Sequence, residues 1–282
     1  MIHSCIGLEF LNDRELYVLT THKEGEEFES RIFGYDIETG AISLMFIFEN
    51  WIKRFAIIGK EAVWASQWDD SIYMTSADAD EHYHLTVGCI TDFKLLPDGG
   101  IVVVGLDGAV ALLSADRRPS SVPTRIDRDI LYCLPGAGGI VHGCGARGLY
   151  FEMNSDRRVD VTDLQTNCFL TSLCLSPSGD LLVSGRGILM KKKGAVVEVI
   201  AEGTDFYDAI WRNDSFYVCA GTKGIKRIGA AALTDISDVP SYCIAQTESA
   251  IAAGGLDAFT IYRDGERRRV PFDRDFLTQI QV

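Results

Sequence analysis

Several features that would simplify a functional reading are missing from this 282-residue chain. Its eight cysteines form no C-x-x-C pair, so the close ligand pairs that fix a tetrahedral zinc site are absent. Cys5, Cys89, Cys133, Cys144, Cys168, Cys174, Cys219 and Cys243 are scattered and mostly sit inside apolar runs, which reads as reduced thiols packed as small hydrophobes. No Gly-x-Ser-x-Gly elbow is present, and no cysteine has sequence neighbours that would lower its pKa, so nucleophilic catalysis has no local signature. With 7 prolines, no Gly/Ser tract and no low-complexity run, nothing marks a linker. The apolar runs are strand-sized, roughly 5 to 8 residues against the ~20 of a spanning helix. The segment Met1 to Glu9 has neither a basic stretch nor a long apolar one, so it does not read as a secretory signal, and a reducing cytoplasm is the expected compartment. No stretch of about 12 residues keeps a 3.6-residue apolar period, which predicts very little helix. A glycine loop opening a helix, the usual phosphate cradle, is therefore not expected either.

What the chain does have is a repeating unit. A glycine ends an apolar run, and two residues later a second small residue opens the next. The copies are Gly105-Leu106-Asp107-Gly108, Gly145-Ala146-Arg147-Gly148, Gly221-Thr222-Lys223-Gly224 and Gly255-Leu256-Asp257-Ala258, with a shortened one at Gly185-Arg186-Gly187. Successive first glycines stand 40, 40, 36 and 34 residues apart. A period of this size, made of short strands and tight turns, predicts antiparallel sheets arranged radially. Each unit reads as four strands, a to d. The clearest runs from Ile90 to Asp127, with Thr91 to Leu96, a turn at Pro97-Asp98-Gly99-Gly100, Ile101 to Val104, Asp107-Gly108, and Ala109 to Leu113. Asp-Gly between apolar runs is a strong hairpin signal, because both central residues of a type I′ turn need positive φ. The expectation is an all-β, single-domain, seven-bladed β-propeller of four-stranded antiparallel blades spanning 1–282. The blades are placed at 5–52, 53–89, 90–129, 130–168, 169–205, 206–240 and 241–272, with 273–282 as one more strand that closes the ring.

Arg31 to Gly40 resembles the end of a WD-type repeat, with Tyr35-Asp36 where that family has Trp-Asp. The later units are similar to the glycine-punctuated repeats of photosystem II assembly factor-like and sialidase-type propellers. The latter carry an Asp box in the turn after strand c. Here that place holds Asp116-Arg117-Arg118, Asp156-Arg157-Arg158 and Asp264 to Arg268, without the box's Gly, Thr and Trp. The Gly-His dipeptide of WD repeats is also missing. The resemblance is one of architecture: it implies the fold and carries over no functional residue. Propellers host enzymes and scaffolds alike, so the site must decide.

A sialidase-like site would need arginines from several strands, whereas here they gather in turns such as Arg117-Arg118, Arg157-Arg158 and Arg267 to Arg269. A metal-dependent lactonase-type site would need Glu, Asn and Asp in the central channel. The inner strands are mostly apolar, with Glu9, Asp92 and Asp208 the main exceptions, and a solvated or strand-end place is the expectation for these three. His82-Tyr83-His84 sets two imidazoles on one face of a strand, two potential ligands without a third. No catalytic residue, cofactor or metal is expected.

Charge is more informative. The net of −13 comes from 40 Asp and Glu against 27 Lys and Arg, and residues 1–100 hold 18 of the acidic residues against 7 basic ones. An acidic N-terminal third is at odds with nucleic-acid binding, which rests on phosphate neutralisation. In a propeller the b–c and d–a connections share one face, and there 18 acidic residues stand against 6 basic ones. Such a surface either steers a basic partner or merely keeps the protein soluble. Thr21 to Ser30 is expected as an unusually long b–c loop, and long loops in compact repeats are often functional. It carries Glu24, Glu26, Glu27 and Glu29; Glu49, Asp69 and Asp70 follow in the first two blades, with Trp51 and Trp68 as anchors on the same face.

These nine residues form the candidate partner site. The expected function is non-enzymatic binding of a basic protein, in one version as an inhibitor or immunity protein that neutralises a bacterial toxin. One alternative is a hydrolase or lyase acting on a small sugar-like or lactone substrate, marked by three or more polar side chains from different blades near the axis. The other is an assembly scaffold in a larger complex. A monomer is expected when unbound, with no nucleic-acid or membrane partner.

Overall fold

A computed structural model describes residues 3–66, 69–76, 78–229 and 233–272. They form seven four-stranded antiparallel sheets, each with its strands in sequence order. Blade 1 holds β1 (His3–Phe10), β2 (Glu15–Glu24), β3 (Glu27–Asp36) and β4 (Ile42–Phe48). Blade 2 holds β5 (Ile52–Ile58), β6 (Glu61–Ser66), β7 (Ser71–Thr75) and β8 (Asp80–His84). Blade 3 holds β9 (Ile90–Leu95), β10 (Ile101–Gly105), β11 (Val110–Leu113) and β12 (Pro119–Val122). Blade 4 holds β13 (Ile130–Pro135), β14 (Val141–Gly145), β15 (Leu149–Met153) and β16 (Val159–Asp163). Blade 5 holds β17 (Leu170–Leu175), β18 (Leu181–Gly185), β19 (Ile188–Lys193) and β20 (Val196–Glu202). Blade 6 holds β21 (Ala209–Arg212), β22 (Ser215–Cys219), β23 (Ile225–Ile228) and β24 (Leu233–Ser237). Blade 7 holds β25 (Cys243–Gln246), β26 (Ala250–Gly254), β27 (Ala258–Arg263) and β28 (Glu266–Pro271). The seven-bladed β-propeller expected from the glycine period is the observed fold. The expected closing strand, 273–282, lies outside the described residues.

The packing explains why the second strands read as unbroken apolar runs. Side chains alternate between the two faces of a strand. In β10, Ile101 and Val103 pack against blade 2, while Val102 and Val104 pack against blade 4. Both faces are buried, so both phases of the alternation must be apolar. The outermost strands bury little: β16 and β20 are largely exposed.

Turn chemistry matches the glycine unit. Asp107 (φ 55°, ψ 31°) and Gly108 (φ 73°) form a type I′ turn closed by the Ala109 N–H donating to the Leu106 carbonyl. The first glycine of the unit serves a different need. A side chain at Gly145 would collide with the Asp129 carbonyl, because the segment entering blade 4 lies directly across the end of β14. The Ala146 N–H then donates to that same carbonyl at 2.9 Å.

Blades 1 and 7 meet at a seam between the two ends of the described chain. The Cys5 N–H donates to the Gly255 carbonyl at 2.9 Å, and the Cys5 and Cys243 sulfurs lie 3.8 Å apart. One apolar cluster spans the seam, with Leu16, Val18 and Phe33 of blade 1 against Ala250, Ala252 and Phe259 of blade 7.

Candidate functional site

The expected loop from Thr21 to Ser30 is instead a hairpin extension. β2 and β3 stay in register to the tip, with Thr21 opposite Ser30 and Glu24 opposite Glu27. A two-residue turn, Gly25-Glu26, closes it. Gly25 takes φ 63°, the left-handed value that a primed turn requires at its first central position. Thr20, Thr21 and Phe28 sustain strand geometry through the polar stretch, which composition alone made look like a loop.

The candidate acidic residues divide into two sets. Glu26, Glu27 and Glu49 are exposed. Glu29 instead pairs with Arg31 at 2.5 Å, Asp69 accepts the Tyr73 hydroxyl at 2.5 Å and the Ser71 N–H at 3.1 Å, and Asp70 contacts His84 at 2.9 Å. The backbone of Glu24 ends β2. Trp68 lies outside the described residues. Of the two histidines in β8, His84 faces Asp70 and His82 stacks on Tyr73. Elsewhere on this face carboxylates bind turns. Asp129 accepts the Asp107 N–H at 3.1 Å and Asp205 accepts the Gly187 N–H at 2.9 Å, each capping the b–c turn of the blade that the chain is leaving.

Trp51 is 36% exposed and stacks on Phe28 with ring centroids 4.9 Å apart. Together they form one wall of a pocket of about 640 Å³, completed by Ile6, Thr21 and Lys23 of blade 1 and by Tyr242, Cys243 and Leu256 from the blade 7 side. Leu256 is 50% exposed at the tip of its b–c turn. Lys23 lies over the Phe28 ring at 5.0 Å, which leaves its ammonium engaged at the rim. The site is thus an apolar, aromatic pocket beside an acidic hairpin. Trp51 belonged to the candidate set; Phe28, Tyr242 and Leu256 did not. Phe28 carried a signal, since a lone aromatic among four glutamates in an exposed turn has no reason to be there for solubility.

A second cavity, of about 250 Å³, lies in the axial channel below and shares Ile6, Tyr242 and Cys243 with the first. Here Asp92 is fully buried, against expectation, while Glu9 and Asp208 are half-buried and Asp208 stands at a strand end, immediately before β21. Each fastens its blade to the next innermost strand. Glu9 accepts the Ile57 N–H at 3.0 Å, Asp92 the Cys133 N–H at 3.0 Å, and Asp208 the Ile244 N–H at 3.1 Å. Each acceptor lies in, or at the entry to, the blade preceding its donor's blade. The innermost strand of a blade has a sheet neighbour on one side alone, so its amides that face the axis must find other partners. Thr91 and Thr171 add the reciprocal bond, donating to the Ile130 and Phe206 carbonyls at 2.5 and 3.2 Å.

Asp92, fully buried, also takes Arg54 at 2.8 Å and Lys94 at 3.4 Å. Burial works against the charge on Lys94, but Asp92 more than offsets it and holds the ammonium above its usual range. Burial raises the Glu9 carboxyl to about 7, with the Ile57 N–H and Lys94 opposing the shift, and it raises Asp208 as well. Polar side chains from blades 2, 3, 4 and 6 therefore do converge near the axis, namely Arg54, Asp92 with Lys94, Tyr132 and Asp208. Among the described residues, no group of three or more His, Cys, Asp or Glu is placed to hold a metal. No helix among them is long and apolar enough to cross a membrane.

No protein-family model matches the chain, and no curated protein matches it by sequence. Solved structures do match in fold. A structure described as YCF48 bound to D1 peptide aligns with a TM-score of 0.70 at 11% identity, covering 92% of this chain and 93% of that one. The WD40 β-propeller domain of Doa1 aligns with a TM-score of 0.60 at 11% identity, covering 83% and 93%. Both architectural resemblances in the sequence, WD-type and photosystem II assembly factor-like, thus recur among solved propellers.

Proposed function

We propose that this chain is a non-enzymatic protein-interaction propeller that receives a basic partner on the face carrying the Glu26-Glu27 hairpin tip. One observation carries the reading: the pocket walled by Phe28, Trp51 and Leu256 opens beside exposed Glu26, Glu27 and Glu49. Large apolar side chains left exposed around a concavity, rimmed by charge of one sign, are the ingredients of a hot spot with electrostatic steering. The fold neighbour solved with a bound peptide supports the choice of a protein ligand. A basic segment with a bulky apolar side chain fits best, with the apolar group in the pocket and cationic groups on the hairpin and Glu49. In its finer version the partner is a basic toxin domain, the chain is its inhibitor or immunity protein, and it acts as a cytoplasmic monomer.

The test is affinity capture from native cytoplasm at low and high salt, run with the native chain, Trp51→Ala, and Glu26/Glu27/Glu49→Lys. One basic protein held in equimolar amount, released by salt and lost from both variants supports the reading; a toxin domain in it supports the finer version. Equal retention of that protein by all three chains overturns the reading.

A further inference from the structure

The axial cavity is built unlike the rim pocket. Three cations line it, Lys53 and Arg54 from β5 and Lys94 from β9, together with one carboxylate, Asp208, and with Tyr132, Thr171 and Tyr207. Among the described residues, only one carboxylate, Asp92, is in direct contact with them, and it is shared between Arg54 and Lys94. Asp208 directs its oxygens to the Ile244 and Ala209 amides and the Ser172 hydroxyl, and Glu9 directs one to the Ile57 amide. Among the described residues, Lys53 makes no hydrogen bond or ion pair, although it stands well inside the channel. The channel nevertheless admits water to the head groups: the Arg54 side chain is 33% accessible and that of Lys94 30%. Positive charge thus exceeds its contacting counter-charge in a space open to solutes.

The geometry points to a binding site for a small oxyanion, a carboxylate or phosphate, held in the axial cavity by Lys53, Arg54 and Lys94. At about 250 Å³ the cavity falls below the roughly 300–1,000 Å³ of drug-sized sites, which selects a ligand of few atoms. Arg54 supplies a planar fork for two oxygens, while Lys53 and Lys94 supply point charges in the same cavity. The tyrosine hydroxyls and Thr171 complete the polar lining. Two conditions around the site agree with this. Burial, and then the neighbouring Arg54, pull the Lys53 ammonium below its usual range, and a bound anion would offset both. Burial also raises the Glu9 carboxyl to about 7, so below that pH it adds little counter-charge, and it moves Asp208 in the same direction.

The probes are inorganic phosphate and succinate, titrated calorimetrically into the native protein at fixed ionic strength. Saturable one-to-one binding is expected for at least one of them, and Lys53→Gln is expected to weaken it about tenfold or more, one charge-assisted contact being lost. Among the described residues Lys53 hydrogen-bonds no other side chain, and burial disfavours its charge, so the variant should melt at or above the native temperature. A second readout does not depend on any variant. In ring-labelled native protein, the ligand should shift the resonances of Tyr132 and Tyr207 and leave that of Tyr83, at the outer edge of blade 2, unmoved. No saturable binding up to about 10 mM, where specific affinity would already be negligible, overturns the assignment. So does equal affinity in Lys53→Gln, or a shift confined to tyrosines outside the channel. None of these results bears on the rim pocket, whose test uses a protein ligand.

Discussion

Replacing Asp92 by alanine should open the joint between blades 3 and 4. The carboxylate is fully buried and makes three contacts, with the Cys133 amide at 3.0 Å, Arg54 at 2.8 Å and Lys94 at 3.4 Å. Its loss strands a buried N–H, which costs about 1–3 kcal/mol. Removing one partner of a buried ion pair typically costs about 3–5 kcal/mol. Channel water reaches roughly a third of each cation and relieves part of that, so the lower end, about 3 kcal/mol, is expected in total. At roughly 2–4 °C per kcal/mol for a chain approaching this size, the melting temperature should fall by about 6–12 °C. Asp92→Asn keeps an acceptor for Cys133 and loses only the charge, so about half of the effect should remain. Guanidinium unfolding followed by far-ultraviolet circular dichroism and tryptophan fluorescence measures both variants. A loss under about 1 kcal/mol for the alanine variant, no more than an average surface change, would refute the role of the carboxylate as an inter-blade fastener.

Glu9 should make stability pH-dependent with the opposite sign to an ordinary salt-bridged carboxylate. Its folded pKa of about 7 lies above that of the unfolded chain, so the native state holds an extra proton and stability falls as pH rises from the usual glutamate range to about 7. Glu9→Gln removes this loss; at pH 8 it should be the more stable chain by up to about 3 kcal/mol, and at pH 4 the two melting curves should coincide. Gly108 and Gly187 each hold the second central position of the b–c turn of their blade, with φ 73° and 76°. A Cβ at Gly108 would overlap the Ile126 carbonyl, whereas Gly187 faces open space. Gly187→Ala should therefore cost about 1 kcal/mol of strain and Gly108→Ala at least about 3 kcal/mol; equal losses in chemical denaturation would disprove the close approach. Once a partner is in hand, Trp51→Ala should weaken its Kd about 30-fold, the 2 kcal/mol of a modest hot spot, and a change under about threefold would remove Trp51 from the interface.

The propeller was legible because its strongest constraints are local. A type I′ turn at Asp107-Gly108 and a glycine at 145 are demanded by backbone geometry within a few residues, and the close backbone approach at the first glycine recurs at Gly105, Gly185 and Gly255. The doubly apolar β10 follows in the same way from having a neighbour on each face. The hairpin at 21–30 reads as a loop in the sequence because its residues are polar, and polarity says where a strand points rather than whether it exists. Glu9, Asp92 and Asp208 stood out as acids in apolar strands, yet their partners are amides 36 to 48 residues away in the next blade, which no spacing rule within one repeat reveals. The rim pocket was half visible. Trp51 could be placed on the right face by strand direction, but Tyr242 and Leu256 come from the opposite end of the chain and join it only through ring closure.

That last point gives the pocket a second role. Its walls come from blade 1 on one side and from the blade 7 side on the other, and the seam between them runs through Cys5 and Cys243 at its floor. A ligand seated there touches both ends of the described chain and acts as a staple across the seam. It can bind only when the first and last blades have met, so an incompletely closed ring is invisible to it. By mass action, a ligand at a hundred times its Kd would hold the closed form by about 2.7 kcal/mol. On the proposed reading, partner binding at this pocket and closure of the circle would be coupled.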